Sequence, residues 1–287
     1  MYVITGATGR VGGQVAHALL KRDLPVRVVV RDVAKARTLV EDGCEVVVSA
    51  MDDELALSHA FTGAEAVFVL LPPTFDPSSD YRESKANVHA LTGALQRSAP
   101  TRVVALSTVG AQAEQENLLS QLQYMEREFA KLPMSVAFLR AAWFIENISW
   151  DIESARSSGI LSSFLQPLDK LIPMVGTADV ATTAASLMQQ SWDGHRVVEL
   201  EGPERLSPEH LAATLGKVLG RGVSAVGVPR SAWEALFRNQ GMVNPGPRMR
   251  MLDGFNEGWI RFEGIPLAGT TSLETVLHKL IQEAAHG

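Results

Sequence analysis

The chain has 287 residues, of which 46% are hydrophobic, 20% charged and 6% aromatic. Its 32 acidic residues exceed its 26 basic ones, and the formal charge of −6 argues against a dedicated nucleic-acid-binding protein, which needs a strongly basic face. The single cysteine, Cys44, excludes an internal disulfide and a multi-cysteine zinc site. No apolar run approaches the ~20 residues of a membrane helix, and no signal peptide precedes the first strand-like segment, so we expect a cytoplasmic protein.

Short β-branched segments alternate with longer amphipathic segments through the first half of the chain. Strands are predicted at residues 2–5, 26–30, 45–49, 66–71, 102–107 and 136–139, and helices at residues 11–22, 33–42, 54–61, 82–99 and 118–131. Apolar strands separated by amphipathic helices are typical of a parallel sheet that is covered on both faces. Right-handed crossovers then favour an α/β fold with a doubly wound parallel sheet, the Rossmann architecture.

The alternation weakens after Arg140. Helices are predicted at residues 143–156, 179–190, 230–238 and 271–285, strands at 196–200 and 222–228, and a loop at 241–247. A further helix begins at Pro208, with Ser207 as its N-cap. We therefore expect a Rossmann domain formed by residues 1–145 and 176–202, and a smaller C-terminal α/β substrate lobe formed by residues 146–175 and 203–287.

The most informative segment is the glycine-rich turn between the first strand and the first helix. It reads Thr5-Gly6-Ala7-Thr8-Gly9-Arg10-Val11-Gly12, with the spacing G-x-x-G-x-x-G. Glycines permit a tight turn, close approach of the backbone to a pyrophosphate, and close packing of the helix on the sheet. Free amides near Arg10 and Val11 are donors for phosphate oxygens. The turn predicts a dinucleotide-binding site, and the alternative is a glycine turn without a ligand.

The end of the second strand bears on which dinucleotide is bound. Arg31 directly follows the apolar run Val28-Val29-Val30, and Arg10 and Lys35 are placed to approach the same point. In this architecture the strand tip lies beside the adenosine ribose, where an arginine pairs with a 2′-phosphate. We therefore expect NADP(H) to be favoured over NAD(H), and the alternative is that Arg31 is merely solvated. Asp32 is predicted to cap the following helix.

Aromatic residues follow the sixth strand, at the edge of the sheet where ligands bind in this architecture. One predicted apolar wall for a flat aromatic substrate consists of Trp143, Phe144 and Trp150. The opposite wall is predicted to consist of Arg248, Met249, Met251 and Phe255. Packing in the core is an equally good interpretation, because aromatic side chains bury well anywhere.

Together these features resemble the NmrA-like group of the atypical short-chain dehydrogenases/reductases. The resemblance covers most of the chain and is carried by the glycine-rich turn, Val30-Arg31-Asp32, Val67–Pro73, Asn87, Leu106–Ala111, Glu126, Phe138–Asn147, Asp179-Val180-Ala181 and Glu201–Glu204. It implies that pyrophosphate is held by Gly6, Thr8, Gly9, Arg10 and Val11, the adenosine end by Arg31, and the middle of the cofactor by Leu70, Leu71 and Pro72, with Ser107 and Thr108 near the nicotinamide. Many relatives carry Gly-Asp after the third strand, where this chain has Ser49-Ala50, so the acid beside the adenine is missing.

The catalytic pair of the wider superfamily is absent from the expected place. Ordinary members reduce carbonyls with a Tyr-x-x-x-Lys pair on the helix after the fifth strand, where the lysine lowers the pKa of the tyrosine. The resemblance at Glu126 and Arg140 places Leu118 and Leu122 at those two positions. We therefore assign no catalytic residue, and the scattered histidines give no metal site.

A literal match to the tyrosine–lysine motif occurs elsewhere, at Tyr81-Arg82-Glu83-Ser84-Lys85. It opens the helix before the fifth strand, so it is interpreted as an exposed helix start. Because this helix begins near the cofactor cleft in such folds, Tyr81 is nevertheless a candidate substrate contact.

Two functions follow from the resemblance. The first is an NAD(P)H-dependent oxidoreductase that reduces an electron-poor aromatic small molecule, of quinone, azo or triarylmethane type, by hydride transfer without a tyrosine–lysine pair. The second is a non-catalytic NADP(H) redox sensor that changes its affinity for a protein partner, which the missing pair favours. The reductase is preferred because the C-terminal lobe offers a substrate pocket. The oligomeric state is left open.

Overall fold

The computed structural model of the protein describes residues 1–286, with side chains for residues 1–284; residue 287, the last of the predicted lobe, lies outside the described residues. Strands β1 to β12 are, in order, Tyr2–Thr5, Val26–Val30, Glu45–Val48, Ala66–Val69, Arg102–Thr108, Ser135–Ala141, Trp143–Phe144, Ile160–Ser163, Met174–Val175, His195–Glu201, Ser224–Gly227 and Leu267–Ala268. Helices α1 to α11 are, in order, Arg10–Leu20, Arg37–Glu41, Glu54–Phe61, Arg82–Ser98, Ser120–Phe129, Ile152–Ser158, Thr177–Leu187, Pro208–Leu219, Trp233–Asn239, Gly246–Glu257 and Leu273–His286. Short 3₁₀ helices span Val33–Ala36, Ile145–Trp150 and Arg230–Ala232.

The main sheet is eight-stranded, with the order β12-β10-β6-β5-β4-β1-β2-β3. Every pair of neighbouring strands in it is parallel. The chain starts in the middle of the sheet, runs outward through β2 and β3, and then returns to β4 on the other side of β1. This reversal is the switch point at which open α/β sheets bind ligands, beyond the carboxyl ends of the strands. The predicted doubly wound parallel sheet is confirmed.

The central strands are apolar because both faces of the sheet are covered by helices. Along β1, Ile4 packs into a cluster on one face and Val3 into a cluster on the other, and Val28 and Val29 of β2 alternate in the same way. All four residues are at most 3% exposed. A strand that is buried on both sides has no polar face, and this explains the continuous apolar runs in the sequence.

A third core cluster lies under the C-terminal part of the chain and is built around Trp233 and Phe237, both almost fully buried. It combines side chains from residues 145–174 and 206–280 with Val109 and Leu118 from the first half of the chain. Strand β12 comes from the range predicted for the lobe, yet it pairs with β10 at the edge of the main sheet. The division of the chain into two domains at the predicted boundaries stays a prediction.

Several local predictions were wrong. The predicted helix over 143–156 is instead β7, a 3₁₀ helix and α6, because Trp143–Phe144 pairs with Met174–Val175. The predicted helix over 33–42 is a 3₁₀ turn followed by the short α2. Helix α10 and the short strands β8, β9 and β12 were not predicted, since their partners are distant in the chain.

Both predicted helix caps are confirmed. The Asp32 carboxylate accepts a hydrogen bond of 3.0 Å from the Ala34 amide, although the helix that it caps is of the 3₁₀ type. The Ser207 hydroxyl accepts a hydrogen bond of 3.2 Å from the His210 amide at the start of α8. Within residues 1–286, no helix combines the length and the hydropathy that crossing a membrane requires.

Candidate functional site

The glycine-rich turn connects β1 to α1 by a compact backbone path. Gly6 has a φ of +64°, in the left-handed region that glycine tolerates best, and its carbonyl oxygen accepts a hydrogen bond of 3.0 Å from the Gly9 amide. A Cβ atom at Gly12 would lie 2.4 Å from the same carbonyl oxygen. The first turn of α1 therefore packs directly on the turn, and no larger residue fits at position 12 without a backbone shift.

The N-terminus of α1 is open to a ligand. Gly9 occupies the N-cap position, no described side chain caps the helix, and none of the residues of its first turn is acidic. Thr8, Gly9 and Arg10 are exposed, and the Arg10 guanidinium makes an ion pair of 3.3 Å with Glu283 of α11. The first amides of a helix have no acceptor within it, and the helix dipole favours an anion at this end. The residues present therefore fit a pyrophosphate.

The segment after β4 lies against this turn. The Leu70 side chain is so close to Gly6 that a Cβ atom there would lie 2.6 Å from Leu70 Cδ2. The buried Thr5 hydroxyl donates to the Phe68 carbonyl at 3.2 Å and accepts from the Leu70 amide at 3.1 Å. These contacts fix the two strand ends at the switch point, with Leu71 and Pro72 following directly in the chain. The structure thus brings Leu70 to the glycine turn.

The tip of β2 presents two cations without a counter-charge. Arg31 and Lys35 are exposed, and neither forms an ion pair or a side-chain hydrogen bond with any residue that the structure describes. At the adjacent tip of β3, the buried Ser49 hydroxyl donates to the Ala50 carbonyl at 2.8 Å. Two exposed cations without an ion-pair partner therefore lie where the sequence predicts the adenosine end, with Asp32 between them in the chain, and Ser49 and Ala50 contribute no carboxylate.

Ser107 belongs to a buried polar network that connects β5, α5 and β6. Its hydroxyl donates to the Glu126 carboxylate at 2.5 Å, and that carboxylate also accepts from Arg140 at 2.9 and 2.7 Å. Arg140 further contacts Glu263, and its guanidinium lies 3.9 Å from Glu199. Burial alone lowers the pKa of Arg140, but hydrogen bonds and charges from Glu126 and Glu263 outweigh burial and raise it.

This network limits what Ser107 can do. Its proton is committed to a carboxylate, so toward a ligand the hydroxyl is left as an acceptor. Thr108, one residue further along, is half-buried, and its hydroxyl donates to the Val109 carbonyl at 3.2 Å. The sequence interpretation treated Glu126 and Arg140 only as markers of resemblance. The network could have been predicted from the charged residues inside otherwise apolar strands, which are Arg140 in β6 and Glu199 in β10.

Tyr81 begins α4 in a left-handed conformation, with a φ of +56°. It is buried, and its hydroxyl donates to the Asn117 carbonyl at 3.0 Å. Burial, helped by the charge of Glu116, raises the pKa of Tyr81 to about 12. The predicted exposed helix start is therefore wrong for Tyr81, which is held as a neutral donor. Its contact with a substrate stays a prediction.

The two predicted aromatic walls touch each other. Trp143 and Phe255 pack edge to face with ring centroids 5.2 Å apart, and Phe255 is only 4% exposed. Phe144 is half-buried and packs against the core cluster on one face of the sheet. Packing, the alternative interpretation, therefore describes Trp143 and Phe255 better than two walls that face each other across a gap. Their roles in substrate binding stay predictions.

A different aromatic pair is exposed at the carboxyl edge of the sheet. Phe75 follows β4 and is 46% exposed, while Trp150, at the end of the second 3₁₀ helix, is 64% exposed. Their rings meet edge to face at 5.9 Å. The Arg248 guanidinium lies 6.0 Å from the Phe75 ring centroid. Trp150 and Arg248 were predicted from the sequence as substrate-wall residues, but Phe75 was not. The only feature of the sequence that could have indicated Phe75 is its position after an apolar strand.

Hydrogen bonds connect the loop after β4 to the start of α10. The Asp76 carboxylate accepts from the amides of Val243 and Asn244 at 2.8 and 2.6 Å, and the Asn244 side chain donates to the Pro77 carbonyl at 3.0 Å. These bonds hold the segment with Phe75 next to the segment with Arg248, beyond the carboxyl end of β4. Among the side chains of residues 1–284, no three potential metal ligands lie close enough to hold a metal ion.

A doubly wound parallel sheet with a glycine-rich first turn defines the class of Rossmann-type α/β proteins. Within that class, this chain belongs to the NmrA-like family, whose family model matches residues 2–251. The resemblance that the sequence motifs predict is therefore confirmed.

Known relatives cover most of the chain. It is 24% identical over 259 residues to the NAD(P)H azoreductase of Xenophilus azovorans, spanning 90% of this chain and 85% of the relative. It is 31% identical over 225 residues to the (4-alkanoyl-5-oxo-2,5-dihydrofuran-3-yl)methyl phosphate reductase of Streptomyces griseus, spanning 77% and 74% of the two chains. The crystal structure of an NADPH-dependent quinone oxidoreductase from Escherichia coli, complexed with NADPH, shares the fold with a TM-score of 0.82 at 24% identity, over 98% of this chain and 100% of that one.

Proposed function

We propose that the protein is an NAD(P)H-dependent oxidoreductase that transfers a hydride to an electron-poor aromatic acceptor of quinone, azo or triarylmethane type. The observation that carries the proposal is the open N-terminus of α1 above a glycine-rich turn, at the switch point of the sheet. Family membership and relatives that are named azoreductase and quinone oxidoreductase support the reaction class.

The proposed cofactor site follows the carboxyl edge of the sheet. Its residues are Gly6, Thr8, Gly9, Arg10 and Val11 at the pyrophosphate, Arg31 at the adenosine 2′-phosphate, Leu70, Leu71 and Pro72 along the middle, and Ser107 and Thr108 near the nicotinamide. The unpaired cations at the tip of β2 support a preference for NADP(H) over NAD(H), because a 2′-phosphate carries charge that a ribose hydroxyl lacks.

The chain's own contribution to the reaction is binding, orientation and exclusion of water. The nicotinamide, when bound, supplies the hydride. No tyrosine–lysine pair stands at Leu118 and Leu122, so the proton that completes reduction comes from solvent. A quinone takes one hydride and one proton to become a hydroquinone, while NADPH becomes NADP⁺. Such acceptors delocalise the incoming charge and do not need a protein acid at the moment of transfer.

The test combines a binding measurement with a turnover measurement. Calorimetric titration with NADPH and NADH is expected to show binding, and NADPH absorbance is expected to fall when a quinone is added. The acceptor panel should also contain an azo dye, a triarylmethane dye and a phosphorylated dihydrofuranone like the one in the Streptomyces relative's name. Failure to bind either cofactor overturns the whole proposal, and binding without turnover of any acceptor overturns the catalytic part.

The Arg31→Asp substitution tests the cofactor preference. Loss of one charge-assisted contact, worth about 1.5–3 kcal/mol, should raise the Kd for NADPH by about tenfold to a hundredfold and leave the Kd for NADH nearly unchanged. Arg22→Asp, an exposed arginine at the opposite end of α1, is the matched control and should change neither Kd. Equal losses for NADPH and NADH would remove Arg31 from its assigned role.

A second candidate function is a non-catalytic NADP(H) redox sensor. The observation that favours it is that Leu118 and Leu122 stand where the superfamily carries its proton-transfer pair, while the glycine turn is kept. A sensor must bind NADPH and NADP⁺ with different affinities, or bind a protein partner in only one cofactor state. Equal affinities, with no partner captured in either state, would eliminate this candidate.

A further inference from the structure

Arg248 is a cation without a counter-charge. No Asp or Glu side chain among residues 1–284 lies within ion-pair distance of it, and its one polar contact is the Met242 sulfur at 3.8 Å. Its guanidinium instead lies over aromatic rings, 4.6 Å from the Phe237 centroid and 6.0 Å from that of Phe75. Burial lowers the pKa of Arg248, but an arginine stays protonated at neutral pH.

Two other arginines near this helix have a carboxylate partner. Arg250, two residues further along α10, pairs with Asp253 at 3.7 Å, and Arg230 makes two bonds of 2.6 and 2.9 Å to the same carboxylate. Asp76 belongs to the loop that carries Phe75, but its carboxylate is used by two backbone amides. A half-buried charge that the fold leaves unpaired attracts an anion more strongly than an exposed one does, because solvent screens it less.

The unpaired charge borders an aromatic surface that is open to solvent. Phe75 lies between Arg248 and Trp150, in ring contact with the tryptophan, and both aromatic side chains remain substantially exposed. Exposed aromatic faces bind flat rings, and a guanidinium at their border binds a negative group on such a ring. The three side chains, here called the aromatic–arginine cluster, therefore present two exposed aromatic faces at nearly a right angle to each other, with a positive charge beside Phe75.

We propose that the aromatic–arginine cluster of Phe75, Trp150 and Arg248 is the acceptor subsite, and that Arg248 selects flat acceptors that carry an anionic group. The inference rests on the proposed function and narrows its substrate class. It favours quinones and azo compounds with a sulfonate or carboxylate, and it disfavours cationic triarylmethane dyes, which the guanidinium repels. In each reduction NADPH loses a hydride, a quinone gains it with one proton from water, and the charge of the sulfonate is unchanged.

The kinetic test replaces Arg248 by methionine and varies the charge of the acceptor. With anthraquinone-2-sulfonate, Arg248→Met should raise KM by about tenfold or more, whereas with the neutral 2-methyl-1,4-naphthoquinone KM should change by less than about threefold. With crystal violet, a cationic triarylmethane dye, KM should fall. Arg248→Lys should keep the order of preference. Arg250→Met, which removes an equal charge from the same helix, should leave all three KM values within about twofold.

A second variant covers the case in which Arg248→Met does not fold. Trp150 is mostly exposed, so Trp150→Ala should fold normally, and it should raise KM for the anionic and the neutral quinone alike, by about threefold to tenfold. Unchanged KM values in Trp150→Ala, or an equal effect of Arg248→Met on charged and neutral acceptors, would overturn the proposed subsite.

A binding measurement separates failure of this inference from failure of the proposed function. Naphthalene-2-sulfonate cannot accept a hydride, and it should bind the NADP⁺-loaded wild-type protein and bind Arg248→Met at least about tenfold more weakly by calorimetry. If it binds in this way but no acceptor is reduced, the subsite stands and the reductase proposal fails. If quinones are reduced but naphthalene-2-sulfonate binds both proteins equally, the reductase stands and the subsite fails.

Discussion

Asp151 is a half-buried acid whose ionisation should destabilise the folded protein. It lies between the 3₁₀ helix that ends at Trp150 and helix α6, and burial raises its pKa from the ordinary 3.8 to about 6. No side-chain hydrogen bond or ion pair to this carboxylate is formed by the residues that the structure describes. Because the folded state holds this proton more tightly than the unfolded state does, the protonated form is favoured by folding.

The sign of the pH dependence follows from this shift. Below pH 3.8 the carboxyl group is protonated in both the folded and the unfolded state, so it does not lower the free energy of unfolding. Between pH 3.8 and pH 6 the unfolded state ionises first, so the free energy of unfolding falls. Above pH 6 both states are ionised and this loss of stability is complete. A shift of about two units corresponds to about 3 kcal/mol. Solvent reaches this half-buried carboxylate and screens its charge, so we expect a net effect of about 1–2 kcal/mol.

Asp151→Asn removes the ionisation and is expected to be stabilising in a pH-dependent way. Urea unfolding should show a gain of about 1–2 kcal/mol at pH 7.5, about half of which has already developed at pH 5. Glu153→Gln, at a mostly exposed acid on the following turn, is the control and should give a small difference that does not vary with pH. A gain for Asp151→Asn that is the same at pH 5 and pH 7.5, or a loss at pH 7.5, would refute the reasoning.

Two further predictions concern the backbone turn and the buried network. Gly12→Ala places a Cβ atom 2.4 Å from the Gly6 carbonyl oxygen. It should therefore lower the free energy of unfolding by about 1–3 kcal/mol in urea and weaken NADPH binding in calorimetry. The control Gly222→Ala, with no atom within 4 Å of the added Cβ, should change neither quantity. Glu126→Gln removes the main counter-charge of the buried Arg140 and should lower the free energy of unfolding by about 3 kcal/mol. Wild-type stability in either variant would contradict the corresponding packing or charge argument.

The sheet could be predicted from the sequence because its signals are local. Strands β1 and β2 and helix α3 begin and end where the sequence places them, since apolar runs and the Asp53 cap mark their bounds within a few residues. The glycine turn is equally local, because its shape depends on a short segment between one strand and one helix. The fold class and the glycine-rich turn can therefore both be predicted from the N-terminal part of the sequence.

The proposed acceptor subsite could not be predicted from the sequence with the same success, because it depends on contacts between distant segments. Trp143 follows β6 and Phe255 lies in α10, more than 100 residues later, so only the tertiary structure shows that they pack on each other. Phe75 and Arg248 come together because Asp76 binds backbone amides at residues 243 and 244. The residues next to Phe75 in the sequence do not predict its contact with Arg248.

Helix α5 and the residues just before it occupy the place where the superfamily carries its catalytic pair, and the same helix helps to hold the sheet together. Where the superfamily resemblance places a tyrosine and a lysine, this chain has leucines, and Leu118 is buried. Helix α5 begins two residues after Leu118, and the polar residues that it directs inward are Gln121, which accepts a hydrogen bond from Ser84, and Glu126, which is bound by Arg140 and Ser107. Both oxygens of the Glu126 carboxylate accept hydrogen bonds from within the protein, from Arg140 and Ser107, so the group is part of the buried network. Helix α5 therefore anchors β5 and β6 through Glu126, and this fits the proposed reaction, in which the chain binds and orients the acceptor and supplies no acid.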